Sequence, residues 1–312
     1  MIDGKVVLLT GGVGGAKLAR GLAAVLAPEQ LTMVVNTGDD FTHLGLRISP
    51  DIDTLLYSLS GLSDEERGWG RAGESWNFMA ALRQIGGADW FQLGDADLAL
   101  HVERTHRLAG ERLSAIIADF AARLGIATRI VPMSDDPVAT MVLTDEGELP
   151  FQRYFVARRC EPRLQSVRFA GADAARPAPG ALAALADPDL AAIIVAPSNP
   201  YLSIDPILAV PGLAAALRGR APVVAVTPVP GGEAVKGPTA KIMRELGLGV
   251  ETATIAQHYR GVIDGIVIDD KDDAATLPPG LGVTSSDTLM RSAGDRARVA
   301  TTALALAARL RR

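Results

Sequence analysis

The chain has 312 residues, 48% of them hydrophobic and 21% charged, with a net charge of −5 and a pI of about 5.5. That much apolar surface excludes a disordered chain, and the absence of any Lys or Arg run beyond the pairs Arg158-Arg159 and Arg311-Arg312 argues against nucleic acid as a partner. A single cysteine, Cys160, leaves no internal disulfide and no cysteine-based zinc site, and no stretch of 18 uncharged apolar residues offers a membrane span, so a cytoplasmic location is expected.

The chain opens on a βαβ pattern. Lys5–Thr10 is an aliphatic run suited to a strand covered on both faces. Leu18–Leu26 repeats apolar residues at helical spacing, and Leu31–Asn36 is a second buried-strand run. From about residue 55 to 125 the pattern is mainly helical, as in Trp76–Ile85 and Leu113–Leu124, and Trp69, Trp76 and Trp90 read more readily as the core of this insertion than as surfaces that stack on a flat ring. Strand-like runs return at Thr128–Pro132, Thr140–Thr144, Ala191–Ala196, Val223–Thr227 and Gly265–Asp269. Pro177–Gly180 reads as a surface loop, whereas Ala181–Ala186 and Ala300–Ala308 read as helices. The fold class expected is α/β: one domain over residues 1–312, with a Rossmann-like, doubly wound, mostly parallel sheet and a helical insertion as a cap.

Between the first strand and helix lies Gly11-Gly12-Val13-Gly14-Gly15-Ala16-Lys17. A glycine-rich turn there presents backbone N–H groups and the positive end of a helix dipole to an anion, and Lys17 adds a point charge. Leu18 follows the lysine where a P-loop needs Ser or Thr, and Lys17 stands where the dinucleotide fingerprint needs its third glycine. Some other phosphate loop is implied. Carboxylates gather after the strands: Asp39 and Asp40 in Asn36-Thr37-Gly38-Asp39-Asp40, Asp51 and Asp53 in Pro50-Asp51-Ile52-Asp53-Thr54, and the pair Asp135-Asp136. In extended chain, Asp51 and Asp53 share a face. Such groups suit Mg²⁺ bound by one or two aspartates and substrate phosphate, with Asp51, Asp39 and Asp40 as the metal candidates. Ser198 and Asn199 follow an apolar strand and are expected at the same sheet edge. Lys236-Gly237-Pro238-Thr239-Ala240-Lys241 is open between a phosphate contact and a solvated surface. The four histidines have no metal-ligand spacing.

Taken in order, the glycine loop, Asn36–Asp40, Ile48–Thr54, Arg67-Gly68-Trp69-Gly70, Leu93-Gly94-Asp95, Met133–Pro137 and Ala196–Pro200 resemble the 2-phospho-L-lactate transferase family. The resemblance implies an Mg²⁺-dependent phosphoryl-group transferase, a homodimer, acting in biosynthesis of the deazaflavin coenzyme F420. A guanosine diphosphate ester would donate its phospho-acid unit to the hydroxyl of the deazaflavin Fo, releasing GMP. It further implies that the loop (Gly11, Gly12, Gly14, Gly15, Lys17), with Asn36, Ser198 and Asn199, serves the nucleotide, and that Asp53 and Gln92 contact the deazaflavin. Asp53 and Asp51 are then the catalytic candidates. Ala96 and the neutral Gln92 stand where relatives often carry cations, leaving lactate, enolpyruvate and glycerate all open as the acid. Two rivals remain at this point: a non-catalytic sugar-nucleotide regulator of the gluconeogenesis-factor type, and a nicotinamide-dependent oxidoreductase.

Overall fold

The computed structural model describes residues 2–233 and 238–311. The chain runs β1 (Lys5–Thr10), α1 (Gly12–Val25), β2 (Leu31–Val35), a small hairpin of β3 (Phe41–His43) and β4 (Leu46–Ile48), then α2 (Pro50–Ser60), α3 (Asn77–Gln84), α4 (Asp95–Arg107) and α5 (Leu113–Arg123). Next come β5 (Arg129–Pro132), β6 (Ala139–Thr144), β7 (Gly147–Pro150), β8 (Leu164–Ala170), α6 (Pro179–Leu185) and β9 (Leu190–Val195). The last part comprises α7 (Asp205–Ala209), α8 (Leu213–Ala216), β10 (Val223–Val226), α9 (Thr239–Glu245), α10 (Thr252–His258), β11 (Gly265–Asp269), β12 (Gly282–Ser286) and α11 (Ala293–Leu310).

Seven strands form one parallel sheet in the order β12-β11-β10-β9-β1-β2-β5. Its central strands are buried on both faces, which is why their sequences are continuously apolar instead of alternating. Val7, Leu9, Ile193 and Val195 point into one core with α6 to α10; Val6, Leu8 and Ile194 point into the other, against α1, α2, α5 and α11. The doubly wound expectation holds. Strand order reverses at β1, which pairs with β2 on one side and β9 on the other. A crevice opens at the carboxyl ends of strands at such a switch point, and ligands bind there.

Several local expectations change. α2 and α5 pack into the sheet's own core through Ile52, Leu55, Ile116 and Ile117, so only the stretch carrying α3 and α4 stands apart, around a satellite cluster of Ile48, Met79 and Leu93. β6 belongs to a separate antiparallel sheet, β7-β6-β8. Pro177–Gly180 is not a surface loop: Ala178 is buried, and Pro179 opens α6 at the position where proline's missing N–H is harmless. Among the described residues no helix is long and apolar enough to cross a membrane.

Candidate functional site

At the switch point lies a cleft of about 500 Å³, a size ordinary for a small-molecule site. The glycine loop forms one wall, but its glycines are needed for more than anion access. Only Gly12 has a positive φ, 63°. A Cβ on Gly11 would strike Asp51 and Ser203, and one on Gly14 would sit 2.5 Å from the Pro197 carbonyl. A Cβ on Gly15 would meet Thr10 and Ser198; Gly15 lies behind the cleft wall. These glycines let α1 press against α2 and the turn after β9.

The start of α1 leaves its first N–H groups without intrahelical acceptors. Gly11 N donates to Ser198 Oγ at 3.2 Å, and Gly12 N donates to Asp51 Oδ1 at 2.8 Å. No acceptor among the described residues takes the N–H of Val13 or Gly14 from outside α1, and both residues line the cleft beside Lys17. Two amides and a helix dipole therefore aim at whatever occupies it.

Asp51 and Asp53 do not share a face. Proline at the first helical position starts α2 there, so two residues correspond to a rotation of about 200°, and the carboxylates diverge. Asp51 turns toward α1, also accepting from Asn36 Nδ2 at 2.9 Å. Asp53 turns toward α4, where fully buried Arg104 grips both its oxygens, Nη1 donating to Oδ2 at 3.1 Å and Nη2 pairing with Oδ1. His101 on α4 stands with Nδ1 3.7 Å from Asp53 Oδ2 and Nε2 3.1 Å from Asp97 Oδ2, while Tyr57 donates to Asp97. Tyr57, Asp97 and His101 line the cleft and were missed in the sequence, as was Arg104 behind them. A polar helix such as α4 gives no periodic signal for which face is buried.

Asp39 and Asp51 reach the cleft; Asp40 does not line it, and its Oδ2 accepts from Ser49 Oγ at 2.7 Å. Asp39 Oδ1 has no hydrogen-bond partner. Burial, with the neighbouring charges of Asp51 and Asp40, pushes the Asp39 carboxyl well above its usual range. Burial likewise pushes Asp40 up to about 7 and Asp51 up to about 6, against hydrogen bonds that favour the ion. Proton affinity is thus higher in the folded chain than in the unfolded chain, so stability contributed by these groups is present below about pH 4 and is lost as pH rises through 6 to 7. Thermal melts in chelator should accordingly show Tm falling by roughly 5 °C between pH 5 and pH 8, with part of the loss removed in Asp40→Asn and more in Asp39→Asn. A flat profile would mean the carboxylates are not electrostatically crowded.

The other sequence candidates divide. Asn36 is fully buried behind Asp51, its Oδ1 accepting from Gly38 N, and holds the carboxylate in place without lining the cleft. Ser198 lines the cleft but also clamps the loop, its Oγ donating to Gly11 O at 2.7 Å. Asn199 lines it and caps the following turn by accepting from Tyr201 N and Leu202 N. Gln92 lines it, with Nε2 donating to the Asp89 carbonyl. Asp135 and Asp136 lie elsewhere: Asp135 accepts from Ser114 N and Oγ at the start of α5, and Asp136 pairs with Arg176. Lys236 and Gly237 fall outside the described residues, and Lys241 is bound to Glu245 and Tyr154. Trp69 is half-exposed at the cleft instead of being core, and Phe91 and the stacked pair Phe151 and Phe155 line the same cleft.

A model of the family described as 2-phospho-L-lactate transferase CofD matches residues 6–278. A phosphoenolpyruvate transferase of Kitasatospora aureofaciens is 40% identical, covering 98% of this chain and 99% of the relative. A 2-phospho-L-lactate transferase of Methanopyrus kandleri is 39% identical over 95% of both chains. In fold, the chain is similar to a crystal structure of a UPF0052 family member from Bacillus halodurans, with a TM-score of 0.66 at 19% identity, covering 97% of this chain and 100% of that one. Near-complete coverage at this identity, together with a family model spanning residues 6–278, means that the chain belongs to the 2-phospho-L-lactate transferase CofD family and is a transferase.

Proposed function

We propose that the protein transfers the phospho-acid unit of a guanosine diphosphate ester to the terminal hydroxyl of the deazaflavin Fo, releasing GMP, in coenzyme F420 biosynthesis. Membership of a transferase family sets aside the oxidoreductase and the non-catalytic regulator. The observation that carries the reading is the pair of unsatisfied amides at Val13 and Gly14, which open into the same cleft as Asp39 and Asp51. A diphosphate seated on those amides faces two carboxylates that need a cation between them and it. On the far side, Tyr57, Trp69, Phe91, Phe151 and Phe155 offer flat apolar surface for a fused-ring acceptor.

The groups present fit Mg²⁺ as an open site. Asp39 and Asp51 offer hard oxygen ligands, one of them the unpartnered Asp39 Oδ1, and no group of three His, Cys, Asp or Glu among the described residues could hold a metal alone. The remaining positions of an octahedron would then go to water and donor phosphate. When bound, the ion neutralises charge on the phosphoryl oxygens.

In this reading the acceptor hydroxyl attacks the phosphorus bearing the acid, and the bond from that phosphorus to the oxygen of GMP breaks. The α1 amides and Lys17 hold the diphosphate in line, which supplies much of the rate when little covalent chemistry is asked of the protein. Asp53, fixed by Arg104, receives or orients the hydroxyl proton. The test is GMP release with Mg²⁺, Fo and each of the lactate, enolpyruvate and glycerate donors. Fo-dependent release from at least one donor supports the reading, and release from none sinks it.

A further inference from the structure

We infer that Arg67 is the specificity residue that reads the carboxylate of the transferred acid, an assignment that rests on the donor reading above. Among the described residues, Lys17 and Arg67 are the only Lys or Arg side chains lining the cleft. Lys17 rises from the first turns of α1 beside the phosphate amides, so its charge belongs with the diphosphate. A donor that also carries a carboxylate brings one further negative charge into a cleft already containing Asp39, Asp51, Asp53 and Asp97. That charge needs a cation of its own. Arg104 cannot supply it, being fully buried with both Nη atoms committed to Asp53.

Arg67 is built for the task. Its guanidinium carbon lies 5.1 Å from the Trp69 ring centroid and 4.9 Å from that of Trp76, and the two indoles are inclined at 66° to each other. Contact through the π-faces holds the cation and leaves its N–H edge free. That edge makes no hydrogen bond among the described residues, and its nearest carboxylate oxygen, Asp64 Oδ2, is 3.9 Å away. A planar fork held in this way matches a carboxylate through two parallel hydrogen bonds.

The backbone fixes the position as well. Arg67 N donates to Asp64 Oδ1 at 2.8 Å, and Gly68 N donates to the Asp64 carbonyl at 2.8 Å. Gly68 and Gly70, with φ of 78° and 72°, make the turn that brings Trp69 back over Arg67. Glu65 ties the same loop to Arg20 on α1 and Arg296 on α11. The loop is thus anchored to the helix that carries the phosphate amides, so a carboxylate reader and a phosphate reader keep a set separation. Lysine, a point charge without the fork or the flat face, would reproduce the charge but not the geometry.

The experiment compares two guanosine diphosphate esters, one of whichever acid among lactate, enolpyruvate and glycerate gives the wild type its fastest GMP release, and one of the corresponding carboxamide, which has the same size without the charge. The wild type should prefer the acid by about 100-fold in kcat/KM, Arg67→Met should bring the ratio to within about threefold of one, and Arg67→Lys should fall between. Thermal melts verify that the variants are folded. A wild type indifferent to the carboxylate, or an Arg67→Met variant that keeps the wild-type ratio, overturns the assignment while leaving the donor reading intact. A wild type that releases GMP from none of the lactate, enolpyruvate and glycerate esters overturns the donor reading and the assignment together.

Discussion

Replacing Asp53 by asparagine is expected to lower kcat by about 10²–10⁴-fold, the range for loss of a positioned acid–base group. Asparagine keeps the size of the side chain and removes its charge and proton affinity. The change also leaves the fully buried Arg104 guanidinium without a counter-charge, a situation that costs about 3–5 kcal/mol when one partner of a buried pair is removed. Activity and stability must therefore be read separately. Asp53→Asn combined with Arg104→Met should recover much of the lost Tm, because no buried charge is left unpaired, yet it should recover none of the lost kcat. Steady-state kinetics beside thermal melts make the distinction. A folded Asp53→Asn protein within about threefold of wild-type kcat would make the Asp53–Arg104 pair purely structural, a strut between α2 and α4.

The second large effect concerns Asp51. Its Oδ1 holds Gly12 N and its Oδ2 accepts from Asn36, so the carboxylate joins the glycine loop, the end of β2 and α2 at one point. Asp51→Asn should reduce kcat/KM by about 10²–10³-fold, comparable to removing one preorganised charge-stabilising group. It should also raise the Mg²⁺ concentration for half-maximal rate by at least tenfold, because the proposed metal site would lose one of its two carboxylates. In the wild type, Mg²⁺ should bind weakly to the free protein and far more tightly with GDP present. Calorimetric titration of Mg²⁺ with and without GDP checks this. Tight stoichiometric binding without nucleotide would contradict an open site completed by donor phosphate.

Much of this was legible in the sequence because it is local. The βαβ opening follows from two apolar runs flanking glycines, and the sheet edge follows from polar residues placed after each strand. Asp39, Asp51 and Ser198 do meet at one cleft, since a doubly wound sheet brings every strand's carboxyl end to the same side. Where the reading failed, a competing local rule or a distant partner decided. The two-residue spacing of Asp51 and Asp53 suits an extended chain, but Pro50 opens a helix there and the helix sends them to opposite partners. Asp135 follows a strand as Asp39 does, yet Ser114 claims it as a brace for α5. Arg104 and His101 lie about 50 residues from Asp53 in a helix with no apolar stripe, so only the fold reveals their meeting. β12, Gly-Val-Thr-Ser-Ser, is a half-buried edge strand without a continuous apolar run, and it passed unnoticed. The glycine loop stands out in the sequence, but anion access is not the whole reason for it, since Gly11, Gly14 and Gly15 answer to close packing and only Gly12 to backbone conformation.

The most direct measurement is the product balance of a single reaction. Protein, Mg²⁺, Fo and the best donor, labelled with ¹⁸O at the oxygen bridging its two phosphorus atoms, are run to completion and analysed by mass spectrometry. Attack by the Fo hydroxyl on the acid-bearing phosphorus predicts one GMP per Fo phosphodiester formed, with the label in GMP and none in the diester. Label in the diester, or guanylylated Fo with the free phospho-acid as the second product, would contradict the account.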